Sequence, residues 1–240
     1  MAMRPFPGTA RSSLLRPRKI SNAVRRRVFE RRLAHIPVDA YEPLIHLGSD
    51  YGGWVVPDDL IDAGWTCYSV GVGHDISFDL ELIARYGVRV RAFDPFELFG
   101  EMALSQTAGD PRFSFHPYAV AHRDGPLEMF GRQDHERGAV SAAGLFDTGS
   151  AFTRPGRTIP SLMRVLGDRH VELLKLDVEG SEYDVIPSLD LRALGVRVFL
   201  TEFHHTSPAG LARAVIGQLE REGYRAVHRK DPTSFTFVRT

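Results

Sequence analysis

Residues 66–75 (TCYSVGVGHD) decide the fold, because they form a short apolar run that ends in two glycines. The run is typical of a buried strand. Residues 78–86 behind it have the helical spacing that brings Phe78, Leu82 and Tyr86 to one face. Residues 88–93 (VRVRAF) then alternate as a strand does. A strand, a helix and a strand in succession predict two parallel strands joined by a crossover helix.

The same alternation continues along the chain. Further helices are predicted over residues 96–105, 159–166, 181–189 and 209–222, and strands over 112–121, 127–130, 171–178 and 196–204. Residues 131–157, rich in Gly, Ser, Asp and Arg, are predicted to be a long loop. The last strands, 224–229 and 234–239, have no helix between them, so we expect a hairpin with one antiparallel strand at the end of the sheet. The predicted class is α/β, with a mostly parallel sheet and helices on both faces.

The composition is that of a globular protein. The chain has 240 residues, of which 43% are apolar and 25% charged, with 30 basic and 30 acidic side chains. No run approaches the 18 or so apolar residues that a membrane-spanning helix needs. The single cysteine, Cys67, excludes a disulfide framework and a cysteine-rich zinc module.

The balance of charge hides an uneven distribution. Residues 1–35 carry ten basic side chains and one acidic one, and residues 1–18 are predicted to be disordered. Residues 36–240 hold 20 basic and 29 acidic groups, so the body is not expected to bind nucleic acid through its phosphates. We therefore divide the chain into a basic N-terminal arm with an amphipathic helix, residues 1–40, and one domain, residues 41–240.

The helix predicted in the arm covers residues 19–35, with an apolar face made of Ile20, Val24, Val28 and Phe29. Three roles are compatible with it. The helix packs on the domain with its Arg side chains in water, which we favour, or it makes peripheral contact with an anionic membrane, or it is an organelle-targeting presequence. No apolar signal segment precedes it, and we expect a cytoplasmic location.

The glycines mark the predicted binding site. Gly71 and Gly73 follow the first strand of the series, where ligands bind in an open α/β sheet. Asp94 ends the next strand, 21 residues after Gly73, a spacing that suits an acid accepting hydrogen bonds from a ribose. Ile76 stands where a dinucleotide-binding loop has its third glycine, and no lysine follows as in a P-loop. The pattern favours a nucleoside with a cationic end, such as S-adenosylmethionine, and argues against a Rossmann-type oxidoreductase.

Five segments resemble motifs of the FkbM-type methyltransferases and of the related methyltransferase-like 24 proteins. They are residues 48–54 (GSDYGGW), 68–79 (YSVGVGHDISFD), 92–95 (AFDP), 174–182 (LKLDVEGSE) and 201–204 (TEFH). The segment over 174–182 is the most specific. The resemblance covers roughly residues 45–240 and implies the class I S-adenosylmethionine fold, a Rossmann-like, mostly parallel seven-stranded sheet with a C-terminal antiparallel hairpin.

The resemblance also implies the roles of individual residues. Gly71 and Gly73 let the chain pass the amino-acid end of S-adenosylmethionine, with Asp75 close by. Asp94 binds the ribose hydroxyls, and Pro95 lies near the adenine. The full set of expected cofactor contacts is Gly71, Val72, Gly73, Asp75, Asp94, Pro95 and Ala119.

The expected catalytic residues are Asp177 and His204. The resemblance places Asp177 at the end of the fourth strand, facing the transferred methyl group. Either residue is a candidate general base, and histidine is better matched to neutral pH. In a less favoured alternative, Asp177, Glu202 and His204 bind a divalent cation, so no metal ligand is predicted. Glu182 is expected only to complement a helix dipole.

The function predicted is S-adenosylmethionine-dependent methylation, with the hydroxyl of a small molecule, a sugar or a natural product, as acceptor. Residues 51–54 (YGGW) form either a loop that closes over the cofactor or a surface turn with a packed Trp. An alternative from another class is a non-catalytic nucleoside-binding module that docks through its basic arm. The sequence specifies neither the acceptor nor the oligomeric state.

Overall fold

The computed structural model describes residues 22–131 and 150–240. The helices are α1 (Asn22–Leu33), α2 (Ser77–Tyr86), α3 (Glu97–Gln106), α4 (Ile159–Leu166), α5 (Glu182–Val185), which a 3₁₀ turn (Ile186–Ser188) extends, and α6 (Ala209–Arg221). The strands are β1 (Leu44–Leu47), β2 (Trp54–Pro57), β3 (Thr66–Val70), β4 (Arg89–Phe93), β5 (Phe113–His116), β6 (Ala119–Val120), β7 (Gly125–Gly131), β8 (Ser150–Arg157), β9 (Leu173–Leu176), β10 (Val198–Glu202), β11 (Tyr224–Arg229) and β12 (Ser234–Arg239).

Seven strands form the central sheet, in the order β11-β12-β10-β9-β3-β4-β5. The pairs among β5, β4, β3, β9 and β10 are parallel, whereas β12 is antiparallel to both β10 and β11. The predicted α/β class is confirmed. The antiparallel strand lies second from the edge, not at the end of the sheet, because β12 returns between β10 and β11. The chain order reverses between β3 and β9, which makes their carboxyl ends the switch point where ligands bind in such sheets.

Burial on both faces explains the continuous apolar runs in the central strands. Tyr68 of β3 and Leu174 of β9 face one part of the core. Cys67 and Leu173, their neighbours in sequence, face the other part. The alternation of a strand thus divides each run between two apolar layers, and Cys67 is buried, as a core residue should be.

A second, three-stranded sheet covers one end of the central sheet. Its order is β6-β8-β7, with β8 parallel to β6 and antiparallel to β7. The prediction of a loop over residues 131–157 was therefore wrong for β8, while residues 132–149 lie outside the described residues. Phe152 of β8 packs with Phe96, Phe99 and Met129, so pairing with β7 and burial of an aromatic side chain outweigh the turn residues Pro155 and Gly156. The short hairpin of β1 and β2 was also missed.

Helix α1 packs against α6, although its buried face differs from the predicted one. Phe29 and Leu33 lie in the core, where they are 3% and 0% exposed, whereas Val24 and Val28 are 48% and 46% exposed. Arg229 fixes the end of the helix by donating to the carbonyl oxygen of Leu33 at 3.4 Å. The arm before residue 22 lies outside the described residues. Within the described ranges, no helix is both long and apolar enough to cross a membrane.

Candidate active site

A cleft runs along the carboxyl ends of β3, β4, β9 and β10. It consists of two adjoining cavities. The smaller holds about 640 Å³ of empty space and the larger about 2030 Å³, and both volumes include space open to solvent. The smaller cavity lies between the central sheet and the three-stranded sheet. Both cavities are lined by Gly71, Gly73, Phe99, Asp177 and Glu179, so the two spaces meet at the switch point.

The smaller cavity is an apolar slot with a carboxylate at one end. Its apolar wall includes Phe93, Pro95, Phe96, Phe99, Tyr118, Ala119, Val120, Leu127, Met129 and Val178. The carboxylate of Asp94 accepts hydrogen bonds from the backbone N–H of Gly73 (3.2 Å) and of Phe96 (3.0 Å). Burial raises the pKa of Asp94 to about 6, although these hydrogen bonds oppose the shift. Each carboxylate oxygen can accept a further bond, so the slot can take an aromatic base and its ribose.

The two glycines of the first loop serve different purposes. Gly71 has a φ of +71°, and a Cβ there would lie 2.0 Å from the carbonyl oxygen of Asp177. Only glycine permits this approach of the two strand ends. Gly73 has a φ of +54°, but a Cβ there would meet no atom within 4 Å. The space above Gly73 is therefore open to a ligand.

Four carboxylates surround the ring of His204 in the larger cavity. Its Nδ1 lies 2.8 Å from Oε1 of Glu182. Its Nε2 lies 3.2 Å from Oε2 of Glu179, 3.8 Å from Oε1 of Glu202 and 4.0 Å from Oδ1 of Asp177. Glu179 reaches this place with a φ of +49°, an uncommon conformation for a side chain other than glycine.

The cluster shifts the titration of its members in opposite directions. Burial works against a charge on His204, but hydrogen bonds to Glu179 and Glu182 outweigh it and raise the pKa to about 12. Burial raises the pKa of Asp177 to about 6 and that of Glu202 to about 7. At neutral pH, His204 therefore holds its proton in this arrangement. It is unsuited to act as the general base, and the carboxylates facing the cavity are better suited.

Comparison with protein families identifies the chain. The model of the methyltransferase FkbM domain matches residues 34–226. The chain belongs to the FkbM methyltransferase family. The family predicted from the motifs is therefore confirmed. A search of functionally curated proteins gives no significant match.

Solved structures with a similar fold are distant in sequence. An FkbM methyltransferase from Methylobacillus flagellatus KT is 14% identical with a TM-score of 0.49, over 74% of this chain and 44% of that one. A precorrin-6y C5,15-methyltransferase from Geobacter metallireducens GS-15 is 11% identical with a TM-score of 0.42, over 92% and 90% of the two chains. A tRNA (uracil-54, C5)-methyltransferase from Pyrococcus abyssi, solved with S-adenosyl-L-homocysteine, is 12% identical with a TM-score of 0.36, over 81% and 43%. The present chain thus spans less than half of the first of these proteins.

The predicted cofactor residues of this FkbM chain all lie at the cleft. Gly71, Gly73 and Asp94 stand where the two cavities meet or in the smaller one, which Pro95 and Ala119 also line. Val72 and Asp75 line the larger cavity instead. The side chain of Val72 packs in the core, so only its backbone is available to a ligand.

Asp75 anchors the glycine-rich segment 48–53. It accepts hydrogen bonds from the hydroxyl of Ser49 (2.5 Å) and the backbone N–H of Ser77 (2.9 Å). Burial acts to raise the pKa of Asp75, but these bonds outweigh it and lower the pKa to about 2. Both of its oxygens thus already hold a bond within the protein, and its carboxylate ties two loops together at the cavity wall.

Lys230 holds the same segment from the other side. Its ammonium group donates to the carbonyl oxygens of Tyr51 (2.7 Å) and Gly53 (2.9 Å). Trp54 is buried in the core, whereas Tyr51 is exposed and stacks on His74 with ring centroids 5.5 Å apart. The segment is therefore a turn held in place by hydrogen bonds, and it places the stacked rings of Tyr51 and His74 at the mouth of the larger cavity.

Glu182 was underestimated from the sequence. It was expected only to complement a helix dipole; it does lie in the first turn of α5, but its side chain is fully buried. Its Oε1 accepts from the backbone N–H of Gly180 (3.0 Å) as well as bonding the ring of His204. The sequence does contain a signal, because Glu182 shares a helix face with Val185 and Ile186, three and four positions on, and both are buried.

Proposed function

We propose that this FkbM methyltransferase transfers the methyl group of S-adenosylmethionine to a hydroxyl oxygen of a small molecule, such as a sugar or a natural product. The observation that carries the proposal is the junction of the two cavities. An apolar slot suited to a nucleoside opens, at Gly71, Gly73 and Asp177, into a larger cavity lined by carboxylates. A donor and an acceptor can therefore meet at one place.

The residues present fit S-adenosylmethionine. Asp94 has acceptor capacity left for the ribose hydroxyls, and the apolar slot suits the adenine. The open space above Gly73 leads toward the larger cavity, where the surplus of carboxylates suits a cationic amino-acid end and sulfonium. When bound, the cofactor supplies a methyl group already activated by its sulfonium, so the protein has chiefly to position the acceptor and exclude water.

Removal of the hydroxyl proton falls to a carboxylate in this proposal. Asp177 lies at the junction of the cavities, and Glu202 lines the larger one from the end of the neighbouring strand. The carboxylate of either residue can take the proton of a hydroxyl that enters beside the methyl group. His204 positions these acids, since its ring lies within 4.0 Å of an oxygen of each.

Cofactor binding is tested by calorimetry with S-adenosylhomocysteine. We expect one site per chain, and we expect Asp94→Ala to weaken binding by more than tenfold. Asp110→Ala is the matched control, because it removes a partly exposed carboxylate that lies just before the start of β5, away from the cleft. No heat of binding, or equal affinity in the two variants, would exclude the proposed cofactor site.

The acceptor class is tested separately by transfer of radiolabelled methyl groups to monosaccharides and polyhydroxylated natural products. Glu202→Gln should lower kcat by roughly a hundredfold if Glu202 takes the proton, with little change in affinity for S-adenosylhomocysteine. Label found on nitrogen or carbon of the product would show that O-methylation is the wrong reaction.

A further inference from the structure

We propose that Asp177, Glu179 and His204 bind a divalent metal ion in the larger cavity. One ligand atom from each residue lies within 4.8 Å of the other two. Ligands bound at about 2.1 Å to one ion lie roughly 3.0–3.4 Å from each other, so small side-chain movements would bring these atoms onto a common ion. Glu202, with Oε1 at 3.8 Å from the same ring nitrogen, lies beside these three ligands and stays available to take a proton.

A buried oxygen without a partner points to the ion independently. Within residues 22–131 and 150–240, Oδ1 of Asp177 is buried and has no hydrogen-bond partner. It faces Nε2 of His204 at 4.0 Å, which is too long for a hydrogen bond. A buried carboxylate oxygen left in this way costs free energy, and a cation between the two atoms removes that cost.

Glu182 prepares His204 to be a ligand. It is fully buried and bonds Nδ1 at 2.8 Å, while the N–H of Gly180 holds the same oxygen in place. A carboxylate on one ring nitrogen orients the ring and supports coordination through the other nitrogen, an arrangement common behind metal-bound histidine. Binding of the ion displaces the proton that Nε2 otherwise holds among these acids. Nε2 is the atom that faces Asp177, Glu179 and Glu202.

The local charge also favours a cation. Four carboxylates meet around one imidazole, and the two nearby lysines, Lys175 and Lys230, donate to backbone carbonyl oxygens. Lys175 donates to the carbonyl oxygen of Gly71 (3.1 Å), and Lys230 donates to those of Tyr51 and Gly53. One nitrogen and two or three carboxylate oxygens suit Mn²⁺, Fe²⁺ or Zn²⁺ better than Ca²⁺.

The role of the ion, unlike its binding, rests on the proposed function. An ion at this place could bind the acceptor hydroxyl, orient it toward the methyl group and lower its pKa. Since Asp177 is a ligand in this arrangement, the proton goes to Glu202, which then needs less basicity. The acceptors favoured by such a site carry two neighbouring oxygens, because these can chelate the ion.

The test measures binding of Mn²⁺ to the full chain after removal of metals with a chelator, by loss of the paramagnetic resonance signal of free Mn²⁺. We expect one ion per chain and at least a tenfold loss of affinity in His204→Gln. His74→Gln, which changes an exposed histidine of the same cavity outside the cluster, should bind Mn²⁺ normally. Glu182→Gln should weaken binding by about 10- to 100-fold without changing a ligand.

Glu179→Gln keeps the test decisive if His204→Gln does not fold, because the side chain of Glu179 is 32% exposed. Absence of Mn²⁺ binding, or equal binding in the His204 and His74 variants, would overturn the site. Calorimetry with S-adenosylhomocysteine on the metal-free chain separates the two proposals. Cofactor binding without Mn²⁺ binding would refute only the metal site, whereas the reverse result would refute the methyl-transfer function.

Discussion

The two halves of the cleft satisfy their carboxylates in different ways. In the smaller cavity, Asp94 accepts from two backbone N–H groups and the wall is mainly apolar, with Asp177 and Glu179 at the junction with the larger cavity. In the larger cavity, four acids share one imidazole, and an oxygen of Asp177 is buried without a partner. In the proposed function, the first half receives the neutral nucleoside. The second half has excess negative charge, so it needs a proton, a cationic ligand or a metal.

In the proposed function, this difference divides cofactor binding from chemistry. The nucleoside half relies on backbone geometry that few substitutions can reproduce, above all at Gly71 and Gly73. The acceptor half relies on side chains, which can be exchanged individually without moving the sheet. Substitutions on either side should therefore have effects of different kinds.

The largest effect is expected where the two halves touch. Gly71→Ala puts a methyl group against the carbonyl oxygen of Asp177 and requires a positive φ, so we expect a loss of about 3–4 kcal/mol in the free energy of unfolding. In Gly73→Ala the new methyl group meets no atom within 4 Å, so only the positive φ should lower the free energy of unfolding, by about 1 kcal/mol. Urea denaturation measures both. Equal losses of stability in the two variants would mean that the ends of β3 and β9 do not pack closely at Gly71.

The next largest effect is expected on helix α5, where the loss of a buried acid can be compared with the loss of an exposed one. Glu182→Ala leaves the N–H of Gly180 and the ring of His204 without their carboxylate, and should cost about 2–3 kcal/mol. Asp184→Ala, on the exposed side of the same turn, should cost less than about 0.5 kcal/mol. Thermal and urea unfolding compare the two. Similar small losses would support the helix-dipole role and contradict the buried one.

A third effect concerns pH and the nucleoside half. Because the pKa of Asp94 is raised to about 6, its carboxylate is ionised at pH 7.5 and mostly protonated at pH 5. The protonated form is a poorer acceptor for ribose hydroxyls, so affinity for S-adenosylhomocysteine should fall about tenfold over this range. Calorimetry at several pH values measures it. Asp94→Asn should bind weakly and with little pH dependence; a dependence that persists there belongs to another group.

The smallest effect tests the acid that ties the loops together. The pKa of Asp75 is about 2 in the folded chain, against an ordinary value of 3.8, so its contribution to stability is complete above about pH 4 and is lost as pH falls through 2. We expect Asp75→Asn to cost about 1 kcal/mol at pH 6 and less near pH 2.5. Urea denaturation at both pH values checks this. A gap that widens in acid would contradict the lowered pKa.

Much of the fold could be predicted because local signals agree with the packing. Helix α4 is an example, since Thr158 caps its start by accepting from the N–H of Ser161 and Gly167 ends it with a left-handed φ. Strand β8 could not be recognised, because its pairing partner β7 lies across the intervening segment and Pro155 and Gly156 argue for a turn. In α1, Phe29 of the predicted face is buried together with Leu33, whereas Val24 and Val28 are exposed, a small rotation that periodicity alone does not distinguish.

The site was predictable only in outline. The ends of parallel strands meet at one edge, so the sequence could bring Asp177, Glu202 and His204 together. It could not indicate that Glu179 turns inward through a positive φ, nor that Glu182 is wholly buried behind the histidine. Both depend on the path of a few backbone torsion angles after β9. The same path decides which carboxylates surround His204, and so the raised pKa of its ring.

The packing of α1 determines where the arm can be removed. Phe29, Leu33 and Ile36 belong to the same apolar cluster as the central strands, so deleting the whole basic region to residue 35 would open a hole in the core. Any loss of membrane binding in such a truncated protein would be confounded by loss of folding. A cut before residue 22 takes away five of the ten basic side chains of residues 1–35 and keeps every buried side chain among the described residues. Charge reversal at Arg25 and Arg32, both exposed, would test the rest without shortening the chain.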